Sequence, residues 1–174
     1  MVSMTSPKKE PSLILVTGMS GAGRRTAAAV LEEMGWYVTD NLPPELIVRM
    51  VELSFDAESP VEKLAIVTDV RSRSFAGSLT GVLEKLVDSG RKPIVLFLEA
   101  SDEALISRFD EVRRSHPLQD GDSLQSGIDR EREMLSGIKQ EADIVVDTSS
   151  TSIHDLRRIL EMKFSDSGGD STRV

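Results

Sequence analysis

The chain has no cysteine, only two histidines and few aromatic residues. The absence of cysteine excludes disulfides and thiolate metal sites and is typical of the cytoplasm, so we expect a cytoplasmic protein. Because aromatic residues make up only 4% of the chain, the core must be built from aliphatic side chains and methionine. No apolar run reaches the roughly 18 residues of a membrane-spanning helix, so no membrane partner is expected.

Size and charge place the chain among ordinary globular domains. Its 174 residues suffice for one domain with a full core, and 39% of them are hydrophobic. The formal net charge of −8 argues against a domain that binds nucleic acid or a membrane surface as a whole, although a local basic patch remains compatible with it. We expect a disordered tail at 1–11, the domain at 12–164, and at 165–174 a linker-like segment that either frays or leads to another domain.

Short apolar runs alternate with amphipathic segments along the sequence. The runs are continuous and rich in β-branched residues, as buried parallel strands are, and lie at 13–16, 36–38, 64–67, 94–98 and 144–146. The segments between them have helical spacing, at 26–34, 44–53, 75–87 and 124–139, and Ser101 and Ser152 are typical helix N-caps. This alternation predicts an α/β fold with a five-stranded parallel sheet and right-handed crossovers.

The first apolar run leads into a glycine-rich turn and then into an alanine-rich helix. Gly18 and Gly23 have the spacing of a phosphate-binding P-loop, G-x-x-x-x-G-[KR]. Glycines allow backbone N–H groups to converge on an anion, and the helix adds the positive end of its dipole. A tight connection without a ligand is the alternative. We predict that a nucleoside triphosphate is held by Gly18, Met19, Ser20, Gly21, Ala22, Gly23, Arg24, Arg25 and Thr26.

The end of this loop departs from the usual Gly-Lys-Ser/Thr. Arg24 keeps the positive charge that contacts the terminal phosphates, but a planar guanidinium is not a compact ammonium. Arg25 stands where a hydroxyl would ligate Mg²⁺, and it cannot do so. The hydroxyl of Thr26 comes one residue late, about 100° further around a helix. Phosphate binding is therefore a safer expectation than fast hydrolysis.

Carboxylates follow several of the predicted strands. In an open parallel sheet, ligands gather at the carboxyl ends of the strands. Asp69 is the best candidate to hold Mg²⁺ or to orient water, and we assign catalysis to it together with Arg24. Asp40 is also interpreted as functional, whereas for Glu99 and Asp147 capping of the next turn is the favoured interpretation.

Residues 113–127 interrupt the alternation. This polar segment contains Pro117 and is the kind of excursion that covers a nucleotide site in P-loop kinases. Arginines gather near it and after Asp69, and they could bind phosphate or transition-state charge. A solvated basic face is the alternative for any single arginine. The candidates are Arg71, Arg108, Arg113 and Arg114, with His116 as weaker evidence for a base.

Several motifs together resemble the N-terminal domain of the RapZ/YvcJ family of bacterial P-loop nucleotide-binding proteins. They are V-T-G-M-S-G-A-G-R, D-N-L-P at 40–43, D-V-R-S at 69–72, R-R-S-H-P-L at 113–118 and D-I-V-V-D-T-S, and the resemblance covers about 12–164. It implies a kinase-like three-layer α/β/α fold with a lid-like excursion, binding of ATP and GTP, and weak hydrolysis.

The resemblance also implies roles for particular residues. It assigns the P-loop to ATP and the segment Asp69, Val70, Arg71 and Ser72 to GTP, and it makes Arg108, Arg113, Arg114 and His116 lid candidates. Asp40 and Asn41 lie where kinases of this fold place the acceptor. Enterobacterial members are adapters that deliver a small RNA to an RNase, with RNA binding mainly in a C-terminal domain that this chain lacks.

Three functions remain open from the sequence. The first is a regulatory nucleotide-binding domain with weak ATPase or GTPase activity that uses Mg²⁺. The second is a small-molecule kinase. The third is a nucleotide-switched binding module without chemistry, which Arg25 favours. The sequence does not choose between ATP and GTP, nor does it define a protein or RNA partner or an oligomeric state.

Overall fold

Every apolar run predicted as a strand is a strand of one parallel sheet. The computed structural model describes residues 12–68, 73–112, 115–119, 121 and 123–164. The sheet has the order β2-β3-β1-β4-β5, and every pairing in it is parallel. Its strands are β1 (Ser12–Gly18), β2 (Tyr37–Asp40), β3 (Lys63–Val67), β4 (Ile94–Glu99) and β5 (Ile144–Asp147).

Helices cover the sheet on both sides. They are α1 (Arg24–Glu33), α2 (Pro44–Phe55), α3 (Arg73–Asp88), α4 (Asp102–Val112), α5 (Leu124–Glu141) and α6 (Ile153–Phe164). Helix α1 packs against α6, whereas α2 packs against α3, α3 against α5, and α5 against α4. The two groups form the outer layers of the predicted α/β/α sandwich.

The predicted ends of the elements differ from the observed ones by at most two residues, for local reasons. Helix α1 begins at Arg24, two residues early, because Gly23 takes a left-handed conformation and caps it. Strand β2 begins one residue late, because the Trp36 amide donates to the Leu31 carbonyl and so closes the end of α1. The predicted cap at Ser152 is confirmed, since Ser152 Oγ and the Asp155 carboxylate each accept the other's backbone N–H at 3.1 Å.

The core is aliphatic, as the composition requires. Strand β1 lies at the centre of the sheet, and all its residues after Ser12 are buried. Leucine, isoleucine and valine from β1, β3 and β4 form the middle layer, and Phe97 is the largest of the fully buried side chains. Trp36 is buried and packs edge-on against Phe164, with ring centroids 6.1 Å apart. A rigid sheet therefore supports the loop that follows β1.

The main chain of β1 ends very close to that of β4. An ideal Cβ on Gly18 would lie 2.3 Å from the Leu98 carbonyl oxygen, and Gly18 has a φ of +150°. Only glycine fits a position where another backbone approaches so closely. This contact sets the point at which the chain leaves the sheet and enters the phosphate loop.

We expect Gly18→Ala to lower the free energy of unfolding by at least about 2 kcal/mol, because the added methyl group would displace a neighbouring strand. Urea denaturation measures the effect. Gly137→Ala is the matched control, since Gly137 is an exposed residue within α5 with nothing within 4 Å of an added Cβ. The control should gain about 0.5–1 kcal/mol from helix propensity, and equal effects at the two positions would contradict the steric role given to Gly18.

Candidate phosphate-binding site

The phosphate loop lies at the carboxyl end of β1, directly before α1. Gly23, with φ of 105°, turns the chain into α1, whose first-turn N–H groups have no acceptor within the helix. The Met19 amide donates to the Leu98 carbonyl and the Ala22 amide to the Met19 carbonyl, both at 3.0 Å, and the Met19 side chain is fully buried. These two hydrogen bonds fix the first part of the loop. Its later residues then lie where they can face a ligand.

A cleft of about 490 Å³ opens beside this loop. That volume lies within the range of ordinary small-molecule sites. The cleft brings together the P-loop, the ends of β2 and β3, helix α4 and the segment before α5. Its lining comprises Ser20, Gly21, Gly23, Arg24, Arg25, Asp40, Asn41, Val67, Thr68, Arg108, Phe109, Ser115 and Pro117.

Three predicted arginines border the cleft in different ways. Arg24 extends toward the neighbouring strand, and its Nη1 lies 3.5 Å from the Thr68 carbonyl oxygen at the end of β3. Arg25 is exposed on the first turn of α1. Arg108 instead donates to the P-loop itself, from Nη1 to the Gly21 carbonyl at 2.9 Å. All three line the cleft, and Arg108 in addition braces the loop.

The loop after β5 supports the other side of the P-loop. Thr148 is buried, and its hydroxyl donates to the Ala22 carbonyl at 2.6 Å, while its own carbonyl accepts a hydrogen bond from Arg108. A second cleft of about 240 Å³ lies between these elements. It is lined by Gly21, Ala22, Gly23, Thr26, Arg108, Thr148, Thr151, Ser152, Ile153 and Leu156. Thr26 therefore belongs to this smaller cleft and not to the larger one.

A buried carboxylate lies beneath the P-loop. Glu131 is only 1% exposed, and it accepts hydrogen bonds from the Ser20 amide at 2.7 Å and the Ser20 hydroxyl at 2.6 Å. The Ser20 amide is thus used inside the fold and does not face a ligand. Reasoning from the sequence missed Glu131. Its signal is the spacing of the buried face of α5, where Glu131 stands between Ile128 and Leu135 in an otherwise apolar series.

His116 belongs to the same buried group. Its Nδ1 accepts from the Leu118 amide at 3.0 Å, which leaves the hydrogen on Nε2, 3.3 Å from Glu131. The ring packs against Phe109, and Gly127 provides the space for it. The histidine does not line the cleft, so it does not take the expected position of a lid or acceptor-site residue. The ring of His116 is completely enclosed, so the histidine anchors the segment before α5 instead.

The acceptor candidates lie at the far end of the cleft. Asp40 is the last residue of β2, and its carboxylate accepts from the Asn41 amide at 2.7 Å. Asn41 has a φ of 58°, a left-handed conformation that few non-glycine residues adopt and that is often found at functional sites. Both line the cleft and are exposed, so they are available to a second ligand.

Six predicted site residues lie outside the described part of the chain. They are Asp69, Val70, Arg71 and Ser72 after β3, and Arg113 and Arg114 after α4. Their assigned roles stay predictions. The neighbouring Thr68 is buried, and its amide donates to Val16 at 3.0 Å, which fixes the end of β3 beside the P-loop strand.

Glu99 and Asp147 each accept a backbone amide that follows them, Ala100 at 2.9 Å and Ser149 at 2.8 Å, as the capping interpretation expects. Glu99 pairs with Arg132 at 2.7 Å and with Lys139 at 3.1 Å. The side-chain hydrogen bond from Ser149, followed by the Ser149 amide, lowers the pKa of Asp147. Both carboxylates stabilise the chain where it leaves the sheet.

We expect Glu131→Leu to lower the free energy of unfolding by about 3 kcal/mol, because it leaves the buried Ser20 donors without an acceptor. Glu131→Gln keeps one acceptor oxygen and should lose less. Thermal and urea unfolding measure both variants. Glu133→Gln, on the exposed face of the same helix, is the control and should change stability by less than about 0.5 kcal/mol. A stability loss of Glu131→Leu no larger than that of the control would contradict the role given to Glu131.

Acid is expected to weaken the contact between α4 and α5. Hydrogen bonds from Gln125 and then from Arg132 hold the pKa of Asp102 below its usual value, with Arg132 at 2.6 Å. A carboxyl whose pKa is lower in the folded state stabilises the fold above its unfolded pKa of about 3.9, and loses this as pH falls through the folded pKa.

Wild type should therefore lose more stability than Asp102→Asn between about pH 6 and about pH 3. Urea unfolding at several pH values measures this difference. Asp110→Asn, at an exposed position of the same helix, is the control for the loss of one carboxylate from α4. Identical pH profiles for wild type and Asp102→Asn would contradict the assignment.

The parallel sheet and the glycine loop at the amino end of α1 define a P-loop α/β protein of the kinase-like kind. Its fold matches that of shikimate kinase from Acinetobacter baumannii in complex with shikimate, with a TM-score of 0.58 at 18% identity, over 91% of this chain and 95% of that one. The likeness at this identity concerns the fold alone. Residues 12–168 match the RapZ-like N-terminal domain, and the chain belongs to that family.

Bacterial relatives with similar sequences are described as nucleotide-binding proteins. One from Corynebacterium jeikeium is 68% identical over 169 residues, covering 97% of this chain and 58% of its own length. Another, from Corynebacterium efficiens, is 53% identical and covers 92% of this chain and 54% of its own length. The chain thus spans little more than half the length of these relatives. No helix within the described ranges is long and apolar enough to cross a membrane.

Proposed function

We propose that this chain is a nucleotide-binding regulatory domain that holds ATP or GTP and hydrolyses it slowly. The observation that carries the proposal is the pair Arg24 and Arg25 at the amino end of α1, both lining one cleft with the glycine loop. Backbone N–H groups, the helix dipole and two guanidinium groups there meet the needs of a polyphosphate. The names of the relatives agree with this ligand class.

The two clefts suggest how one nucleotide is placed. Both are lined by Gly21, Gly23 and Arg108, so a single ligand can extend from one cleft into the other. We place the phosphates in the larger cleft beside the arginines. The nucleoside then enters the smaller cleft, between the P-loop and the loop after β5, where backbone and hydroxyl groups of 148–152 can contact it.

Slow turnover follows from the residues around the phosphates. Arg25 replaces the hydroxyl that would ligate Mg²⁺ at the P-loop, so Asp69 remains the proposed metal ligand and the proposed group that orients water. We assign Val70, Arg71 and Ser72 to the same nucleotide site, with GTP as the second ligand. In the complete cytoplasmic protein, a protein or RNA partner would recognise whether nucleotide is bound. This partner would contact the part of the relatives' length that this chain does not span.

Calorimetric titration with ATP and with GTP tests the proposal. Wild type should bind with roughly micromolar affinity, and Arg24→Ala should bind at least about tenfold more weakly. Arg49→Ala removes the same charge from an exposed position on α2 and should bind as wild type does. The absence of heat and of any thermal shift with either nucleotide would refute nucleotide binding by this chain.

A second candidate is a small-molecule kinase, favoured by Asp40 and Asn41 at the far end of the same cleft. This function predicts that ATP is consumed faster when a suitable hydroxyl acceptor is present. A screen with small hydroxyl compounds, followed by Asp40→Asn on any that respond, separates it from the regulatory domain. Binding without turnover under every condition would instead identify a nucleotide-switched module without catalysis, and unchanged turnover in Asp69→Asn would remove the catalytic role of Asp69.

A further inference from the structure

Arg25, directly after Arg24, affects whether the site needs a metal ion to bind its ligand. We infer that this chain binds its nucleotide without needing a divalent cation, because Arg24 and Arg25 together supply the positive charge at the phosphates. The inference rests on the proposed function and concerns how the same site neutralises its ligand. The positions of the three side chains that follow Gly23 determine this requirement.

The first turn of α1 does not offer Mg²⁺ a ligand on the side of the larger cleft. A guanidinium has five hydrogen-bond donors and no acceptor, so Arg25 cannot coordinate a metal ion. Thr26 has a hydroxyl, but it lines the smaller cleft and not the one that contains Arg24 and Arg25. Arg25, in place of the usual serine or threonine, therefore removes a Mg²⁺ ligand from the P-loop and places a positive charge there.

Asp40 is a carboxylate that lines the larger cleft, but it does not replace the missing Mg²⁺ ligand on the P-loop side. Asp40 ends β2, which is separated from β1 by β3, so two strand spacings, roughly 10 Å, lie between the strand axes. Asp69 lies outside the described part of the chain. The statement that a metal ligand is lacking therefore concerns only the P-loop side of the site.

The arginines are suited to replace the charge of the metal. Arg24 is held toward the end of β3 through the Thr68 carbonyl. Arg25 is exposed, and among the described residues no carboxylate pairs with it. The first turn of α1 itself contains no acidic residue. Two planar guanidinium groups can each bind phosphate oxygens bidentately, which a lysine and a hydroxyl cannot do.

Titration of ATP in the presence of MgCl₂ and, separately, of EDTA tests the inference. We expect the affinity of wild type to differ by less than about threefold between the two conditions, well below one decade of affinity. Arg25→Ser restores the sequence Gly-Arg-Ser and should bind at least about tenfold more weakly in EDTA, with recovery in MgCl₂. Arg25→Lys keeps the charge and should bind in EDTA.

Arg49→Ser serves as the control for a lost exposed arginine and should behave as wild type. Circular dichroism and thermal unfolding verify that each variant is folded. Wild type that binds ATP in MgCl₂ but not in EDTA would overturn the inference and leave the proposed function intact. Equal binding of wild type and Arg25→Ser in EDTA would overturn the role of Arg25. No binding of wild type in either condition would refute the proposed function and this inference with it.

Discussion

The carboxylate of Glu131 joins three separate parts of the chain. It accepts both donors of Ser20 in the P-loop, it lies on the buried face of α5, and it faces the ring of His116 before that helix. A buried carboxylate is costly unless its hydrogen bonds are complete. Because these partners come from distant segments, the loop, the helix and the segment before it must adopt their positions together. The phosphate loop is thus shaped from beneath, before any ligand reaches it.

The upper side of the loop is held in a different way. Arg108 and Thr148 bind the carbonyl oxygens of Gly21 and Ala22, so the acceptors of the loop are engaged by the protein. With the carbonyls engaged, the first-turn N–H groups of α1 and the side chains of Arg24 and Arg25 form the face toward the larger cleft. Such a preorganised cationic site suits an anionic ligand, although the whole chain has a net charge of −8.

Together, these features suit a domain that retains a nucleotide better than one that consumes it rapidly. The arginine pair favours phosphate binding, whereas the loss of the loop hydroxyl removes a metal ligand that fast phosphoryl transfer uses. The chain spans little more than half the length of these relatives, and a regulatory readout belongs to the proposed function of the complete protein.

The sequence by itself determined the α/β class, the five strands, the family and the position of the phosphate loop. These depend on local patterns, namely apolar runs, helical spacing and two glycines five residues apart. It also identified Arg25 as the departure from the usual loop. Only the tertiary structure decided that Arg25 and Thr26 face different clefts, that Arg108 braces the loop, and that His116 is enclosed with Glu131. These contacts join residues 15 to 126 positions apart, and their geometry depends on how the helices pack on the sheet, which no local pattern specifies.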